Sequence, residues 1–325
     1  VAGILGFGGY APAQVMTNDD WAQLVDTTDE WITTRTGIKR RHIAASDETT
    51  LDLAAVAAER ALEDAGLSPS DIDEIIVATD TPEVYTPDTA SFLQDRLGTP
   101  EVPAYDLGGS GCAGFVQAID VARARIHLHP KRVLVVGVEL ITRLVSWKDR
   151  ATAVLFGDAA GAVVMGPDDG KAKVLDVVSG TDGSKTEILT LLVGGTRYPF
   201  GPTVAETEEH QHLIMHGQEV FKEAVRRMTQ AVRDVLERVG RTAADVALVI
   251  PHQANKRIID AVRRRLEVDE DRVYVNIEEY GNTGSASVPL ALWEAKEEGK
   301  IAEGDLVVLT AFGAGFHWAA AALQF

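Results

Sequence analysis

Leu62-Glu63-Asp64-Ala65-Gly66, followed at Asp71 by Asp71-Ile72-Asp73-Glu74-Ile75-Ile76-Val77, has an echo later in the chain: Leu236-Glu237-Arg238-Val239-Gly240, then Asp245-Val246-Ala247-Leu248-Val249-Ile250. Both pairs are offset by 174 residues, from 62 to 236 and from 71 to 245. Each reads as a helix ended by glycine and followed by a buried strand. Two more pairs keep the order with a drifting offset: Gly111-Cys112 with Gly281-Asn282 (170) and Phe156-Gly157 with Phe312-Gly313 (156). A shared order of four matches is the mark of an internal duplication. Each half runs helix, strand, loop, helix, strand and a glycine-punctuated strand pair, which implies helices packed on a mixed sheet. The expectation is a layered α/β protein of two halves, residues 1–170 and 171–325, each with its own mixed sheet.

Composition agrees. The 325 residues are 46% hydrophobic and 25% charged, enough for a large core in two lobes. The formal net charge of −18 repels phosphate backbones, so nucleic acid is not expected as a partner. A single cysteine excludes a disulfide framework and fits a reducing cytoplasm. No charged segment leads into an apolar run near Val1, so no signal peptide is expected. Leu306 to Phe325 lacks Asp, Glu, Lys and Arg, the length of a membrane span, but Gly313, Gly315 and His317 divide it into two core strands, Leu306–Thr310 and Trp318–Gln324. No membrane partner is expected.

The lone Cys112 lies in Gly108-Gly109-Ser110-Gly111-Cys112-Ala113-Gly114-Phe115, before an amphipathic helix over Val116–Ile126. A thiol at a helix start meets unpaired N–H groups and the positive dipole end, which favour thiolate. A buried, inert cysteine is the competing reading. The duplication puts Cys112 and Asn282 in equivalent loops, each before a helix, and His252 falls just past the strand Ala247–Ile250. Converging in one cleft, these would supply a nucleophile, a proton-handling or hydrogen-bonding group, and a neutral donor for developing negative charge. Alternatively His252 caps a helix start and Asn282 belongs to an ordinary turn. Gly6-Phe7-Gly8-Gly9 precedes Ala11-Pro12 rather than a helix, so it is no dinucleotide loop. His210, His212 and His216, among Glu206, Glu208 and Glu209, read as a solvated loop before the helix containing Phe221 and Val225; no metal site is expected.

Five segments together carry a family resemblance: Asp29-Glu30-Trp31-Ile32-Thr33-Thr34-Arg35-Thr36-Gly37-Ile38, Gly111-Cys112-Ala113-Gly114-Phe115, Phe156-Gly157-Asp158-Ala159-Ala160-Gly161, Pro251-His252-Gln253-Ala254-Asn255 and Gly281-Asn282-Thr283. In this order they resemble β-ketoacyl-acyl-carrier-protein synthase III along the whole chain. The resemblance implies a thiolase-like fold, a cytoplasmic homodimer and a Cys112-His252-Asn282 site that starts fatty-acid synthesis. Cys112 would be acylated by an acyl-CoA primer, a substrate rather than a cofactor; no cofactor is implied. Malonyl-acyl carrier protein would then enter, with His252 and Asn282 holding the thioester oxygen as carbon dioxide leaves. The backbone N–H groups of Cys112 and Ala314 would form the oxyanion hole, although Phe312-Gly313-Ala314-Gly315-Phe316 has alanine where many relatives have glycine. Trp31 and Arg150 would sandwich the adenine, with Thr27 near the ring, Arg35 and Arg257 toward phosphates, and Asn255 along the pantetheine tunnel. Phe156, Gly217, Ala254 and Phe312 complete the implied substrate contacts. Gln218 stands where the family usually has Asn and is set aside.

Thr86 aligns with a residue that closes the acyl pocket across the dimer, where some relatives have Phe, so primers longer than acetyl are expected. Lys256, Arg257, Arg263, Arg264 and Arg265 cluster on an acidic background, and Arg257, Arg264 and Arg265 can share part of one helix face. Lys222, Lys256, Arg257, Arg264 and Arg265 are the expected docking site for an acidic carrier protein. Three other functions compete. Papain-like proteases also order Cys, His and Asn, here with 140 residues from 112 to 252, but their second cysteine and the aromatic beside the nucleophile are missing. A non-catalytic CoA-binding module would not need all three reactive groups. A starter or acyl-transfer enzyme of polyketide assembly would share the fold and the triad.

Overall fold

The computed structural model describes residues 2–167, 170–192, 194–199 and 212–325. Up to Gly166 the chain forms β1 (Gly3–Tyr10), β2 (Val15–Thr17), α1 (Asn18–Ala22), α2 (Asp29–Thr36), β3 (Arg40–His42), α3 (Thr50–Ala65), β4 (Glu74–Ala78), α4 (Thr89–Leu97), β5 (Ala104–Leu107), α5 (Gly114–Leu128), β6 (Val133–Leu140) and β7 (Asp158–Gly166). Then come β8 (Ala172–Thr181), β9 (Leu189–Thr190), β10 (Ile214–Met215), α6 (Gly217–Arg238), β11 (Leu248–Pro251), α7 (Lys256–Leu266), α8 (Ile277–Tyr280), α9 (Ser287–Glu297), β12 (Leu306–Gly313) and β13 (His317–Gln324).

The repeat is visible in local chemistry. After α3, Gly66 takes φ +66°, and a single 3-10 turn, Pro69–Asp71, follows. In that turn the Asp71 carboxylate accepts from the backbone N–H and hydroxyl of Ser68 at 2.9 and 2.7 Å. After α6, Gly240 takes φ +68°, and Asp245 accepts from the N–H and hydroxyl of Thr242 at 2.7 and 2.9 Å. Both caps aim the chain into a short buried strand, β4 or β11.

The sheet corrects one expectation. Two mixed sheets were expected, but nine of the strands form one sheet in the order β11-β12-β13-β8-β1-β7-β6-β4-β5, with β2–β3 and β9–β10 paired separately. Outward from the β8/β1 junction the two sides match. β1–β7 and β7–β6 are antiparallel and β6–β4 parallel; β8–β13 and β13–β12 are antiparallel and β12–β11 parallel. The junction is short: Gly3 faces Lys173, and the N–H groups of Lys171 and Val174 donate to the carbonyls of Ile4 and Ala2 at 2.8 and 2.9 Å. Two edges that would otherwise expose unpaired backbone groups satisfy each other there. β5 has no full counterpart; an isolated parallel bridge from Val249 to Val273 stands in its place.

Helices α3 and α4 cover β1, β7, β6, β4 and β5, while α6 covers β13, β12 and β8. Between these layers lie α5, which touches β4 and β6 as well as β8, β12 and β13, and α9, which touches β1 and β7 as well as β11 and β12. Phe115, Val116, Ile119 and Ala122 of α5 meet Val288, Ala291 and Leu292 of α9 in the central apolar core. α3 lies directly on β1 because Gly6 and Gly8 have no side chains: a Cβ there would fall 2.2 Å from the Ala61 carbonyl oxygen and 2.1 Å from that of Ala57. Close packing, rather than a cofactor, accounts for that glycine run. The last twenty residues form the core hairpin β12/β13, with the first strand running on to Gly313. Among the described residues no helix is long and apolar enough to cross a membrane.

Candidate active site

The two inner helices start at the same end of the layer, and their leading loops carry the expected chemistry. A single 3-10 turn, Gly111–Ala113, leads into α5; its counterpart Gly284–Ala286 leads into α9. Gly111 takes φ +54° and Gly284 φ +58°, a region open to glycine. Gly111 is also needed for space, since a Cβ would lie 2.4 Å from the Ala314 nitrogen, and one on Gly313 would lie 2.5 Å from the Cys112 nitrogen. The two glycines thus press the Cys112 and Ala314 backbones together, an arrangement suited to a paired N–H oxyanion site.

Cys112 is free and partly buried. Burial pushes its thiol well up, and the carboxyls of Glu139 and Asp80 push it the same way. The thiolate favoured by the helix start is therefore opposed by burial and by both acids.

His252 follows β11 and is fully buried, its N–H donating to the Thr310 carbonyl at 2.7 Å. Burial pushes the imidazole down to about 3, so the ring is neutral. Nδ1 lies 2.5 Å from Ser287 Oγ at the start of α9, and the ring stands edge-on to Phe312 with centroids 5.4 Å apart. Nε2 is buried without a partner. If the serine hydroxyl donates to Nδ1, Nε2 carries the proton and becomes a donor. Asn282 is buried, and its side-chain oxygen accepts from the Gly284 N–H at 2.9 Å, which leaves the amide Nδ2 as the group to offer. Its backbone is pinned to the Phe156-Gly157 segment: the Asn282 N–H donates to Leu155 at 2.8 Å and its carbonyl accepts from Gly157 at 3.0 Å. His252 caps nothing; the cap of α7 is Asn255, whose side-chain oxygen accepts from the Arg257 N–H at 2.9 Å.

Cys112, His252 and Asn282 line one cavity of about 610 Å³. Phe156, Gly217, Ala254, Asn255, Arg257, Phe312 and Ala314 also line it, and so does Gln218, which had been set aside. Sequence reasoning missed its apolar wall of Ile141, Leu144, Leu213, Met215, Val220 and Phe221, and it missed Asp80. The signal for Asp80 was present, because it sits just past β4 as His252 sits just past β11.

Thr27, Trp31, Arg35 and Arg150 form a separate group outside that cavity. The guanidiniums of Arg35 and Arg150 rest on the Trp31 ring at 4.5 and 4.8 Å, and Arg150 also donates to the Asp26 carbonyl at 2.8 Å. The expected slot between Trp31 and Arg150 is thus closed. Thr27 Oγ1 is buried without a partner. Contact between Gly37, after α2, and the Lys256 side chain places this group beside the start of α7, where Arg257 enters the cavity wall. Thr86 is exposed beside exposed Val84 and Tyr85 and does not line this chain's cavity. Lys222, Arg257, Arg264 and Arg265 are exposed, while Lys256 is half-buried and pairs with Asp260 at 3.7 Å. His216 precedes α6, and His210, Glu206, Glu208 and Glu209 lie outside the described residues. Among the described residues no group of three His, Cys, Asp or Glu is placed to hold a metal ion.

Residues 105–183 match the family model "3-Oxoacyl-[acyl-carrier-protein (ACP)] synthase III", and residues 236–325 match the model of its C-terminal part. The chain is 47% identical over 324 residues to the β-ketoacyl-acyl-carrier-protein synthase III of Caldanaerobacter subterraneus subsp. tengcongensis, covering 99% of this chain and 97% of that one. The crystal structure of 3-oxoacyl-acyl-carrier-protein synthase III from Aquifex aeolicus VF5 is similar with a TM-score of 0.92, 44% identity and full coverage of both chains. The priming β-ketosynthase of the R1128 polyketide pathway is similar with a TM-score of 0.90 and 37% identity, covering 99% of this chain and 96% of that one.

Proposed function

Because the chain belongs to the 3-oxoacyl-acyl-carrier-protein synthase III family, with its thiolase-like fold and condensing acyltransferase activity in fatty-acid synthesis, we propose that Cys112, His252 and Asn282 divide a decarboxylative Claisen condensation between them. The observation that carries this is their convergence in one cavity, with a neutral imidazole whose Nε2 is buried and unpartnered. Cys112 takes the acyl group from an acyl-CoA primer, and the oxyanion formed meets the N–H groups of Cys112 and Ala314. CoA leaves and malonyl-acyl carrier protein enters. His252 Nε2 and Asn282 Nδ2 then donate to the malonyl thioester oxygen where enolate charge grows as carbon dioxide departs. The resulting carbanion attacks the acyl-cysteine, and the 3-ketoacyl product leaves on the carrier. No resident cofactor enters the scheme.

Two neutral donors suit this role, since they stabilise a transient anion without a buried ion at rest. A protease-like pair would need His252 to hold a proton that its burial disfavours. The order of caps and strands before and after the β1/β8 junction supports two halves, 1–170 and 171–325. We place the enzyme in the cytoplasm as a homodimer. Exposed Val84 and Tyr85 support a partner contact there, with Thr86 closing the partner's acyl pocket. Trp31 and Arg150 receive the adenine, with Thr27 near the ring and Arg35 and Arg257 toward the phosphates, while Phe156, Gly217, Ala254, Asn255 and Phe312 border the pantetheine. Lys222, Lys256, Arg257, Arg264 and Arg265 receive the acidic carrier.

The likeness to a polyketide priming enzyme keeps a starter role as the second reading. One experiment addresses both. Purified protein is incubated with a panel of straight and branched acyl-CoAs and malonyl-acyl carrier protein, and products are identified by mass spectrometry. A 3-ketoacyl carrier product is expected, with primers longer than acetyl accepted and Thr86→Phe moving the preference to shorter ones. Acyl transfer without condensation would reject the condensing assignment, and a strict acetyl preference in both proteins would reject the gate.

A further inference from the structure

Among the described residues Asp80 is the one carboxylate that lines the reaction cavity, and the condensation scheme does not use it. It stands just past β4, and its side chain accepts from the Gly109 N–H at 2.7 Å, with the backbone of Gly111, the residue before Cys112, also close to it. Behind it is Glu139 on β6, only 1% exposed, whose two oxygens lie 3.1 and 3.3 Å from the Asp80 backbone nitrogen. Glu139 also meets the Thr81 hydroxyl at 2.8 Å and the Ser285 Oγ at 2.9 Å. The Ser285 hydroxyl has a single proton and a second acceptor, the Ala78 carbonyl, at 2.8 Å. Both contacts are satisfied when Ser285 donates to Ala78 and a protonated Glu139 donates to Ser285. Two adjacent buried acids do not both ionise readily, so the proton on Glu139 leaves the charge on Asp80.

The acylation step lacks a proton carrier. Burial and the neighbouring Glu139 and Asp80 carboxyls oppose ionisation of the Cys112 thiol, and His252 is a neutral ring held from the far side by Ser287. We propose that Asp80 is the proton carrier of the acylation half-reaction, taking the proton of the Cys112 thiol and returning it to the departing CoA sulfur. The Cys112 S–H bond breaks as its sulfur bonds to the thioester carbon, and the proton passes to the Asp80 carboxylate directly or through one water. The tetrahedral adduct then collapses, the carbon–sulfur bond to CoA breaks, and the CoA thiolate takes the proton from Asp80. Cys112 thiol and acyl-CoA thus become acyl-cysteine and CoA thiol, with Asp80 restored. The titratable groups facing Asp80 are Glu139 from β6, Cys112 from the α5 loop and His317 from β13. Below about pH 8 Glu139 holds its own proton through the cycle and acts as a positioning residue.

The proposal rests on Cys112 being the acylated residue, and the test separates the two. Wild type, Asp80→Asn and Cys112→Ala are compared in single-turnover acylation by acyl-CoA, read by intact mass, and in alkylation by iodoacetamide, both across about pH 6 to 9. The amide still accepts from the Gly109 N–H but carries no charge and no exchangeable acid. Asp80→Asn is expected to slow acylation by roughly 10²-fold, within the range of general acid–base catalysis. Iodoacetamide, which needs only the thiolate, is expected to react several-fold faster near neutral pH because a repelling charge has gone. These opposite signs are the signature, because a disturbed loop would slow both reactions. Asp80→Ser, which also keeps an acceptor for Gly109, repeats the measurement if the amide variant fails to fold. Acylation by the Asp80 variants at or above the wild-type rate, or a parallel fall in both reactions, would overturn the proposal. No acylation in wild type, or acylation surviving in Cys112→Ala, would instead reject the reading of the site.

Discussion

Replacing Glu139 by Gln should make the folded protein less sensitive to alkali. The carboxyl lies in the seam between the Cys112 and Asn282 loops, and burial, with the Asp80 charge next, pushes it from 4.5 up to about 8. The folded state therefore binds this proton more tightly than the unfolded chain does. Its contribution to stability is complete below the unfolded value of 4.5 and is lost as pH rises through about 8. One proton over that interval changes stability by at most about 1.4 kcal/mol per pH unit. Sharing of the proton with Asp80 reduces the sum to roughly 2–4 kcal/mol. The glutamine keeps an oxygen for the Asp80 N–H and an N–H for Ser285, so packing changes little while the titration disappears. Urea unfolding of both proteins, followed by tryptophan fluorescence from about pH 5 to 9, gives the difference in unfolding free energy at each pH. That difference should move in favour of the variant by roughly 2 kcal/mol or more as pH rises. Parallel curves would show that Glu139 is ionised in the folded protein across the range, and the proton placement argued above would fall with it.

His252→Ala and Asn282→Ala should still be acylated at Cys112 by acyl-CoA but lose malonyl decarboxylation by about 10²–10³-fold, the usual cost of a missing oxyanion donor. Intact mass and carbon dioxide release measure the two steps; loss of acylation in His252→Ala with decarboxylation intact would make His252 a thiol base instead. The double variant Arg264→Glu with Arg265→Glu should slow the use of malonyl-acyl carrier protein, more so at low salt, because complementary charge acts mainly on encounter. Equal rates at low ionic strength would remove these arginines from docking.

The repeated helix-to-strand passages were legible because they repeat side-chain chemistry: Ser68 with Asp71 and Thr242 with Asp245 cap matching turns at the same offset. The single continuous sheet was not, because Gly3 meets Lys173 through backbone groups that leave no pattern in sequence. Cys112 and Asn282 could be placed by symmetry and His252 by its position just past a strand, and all three line one cavity. The opposition to thiolate could not be read from the helix start, since Glu139 acts on Cys112 from inside the apolar run Val133–Leu140, distant in sequence. Asp80 had a positional signal, the end of a strand equivalent to the one before His252, but no motif surrounds it. The apolar wall comes from several separate segments, and only folding assembles it.

If Trp31 and Arg150 receive the adenine as proposed, the tryptophan with its two arginines changes what the coenzyme's nucleotide end contributes. Inserting a planar base between Trp31 and Arg150 needs two contacts of about 3.5 Å each, roughly 7 Å in all, where the guanidinium now rests at 4.8 Å. Adenine must therefore evict a resident before it can stack, and its net gain is the difference between two stacks of similar kind. A pantetheine thioester arriving on a protein carrier brings no adenine and leaves the arginine where it is. On the proposed assignment of Trp31 and Arg150, one doorway would admit both substrates while favouring the first only weakly, and spent CoA would not be held where the second must pass.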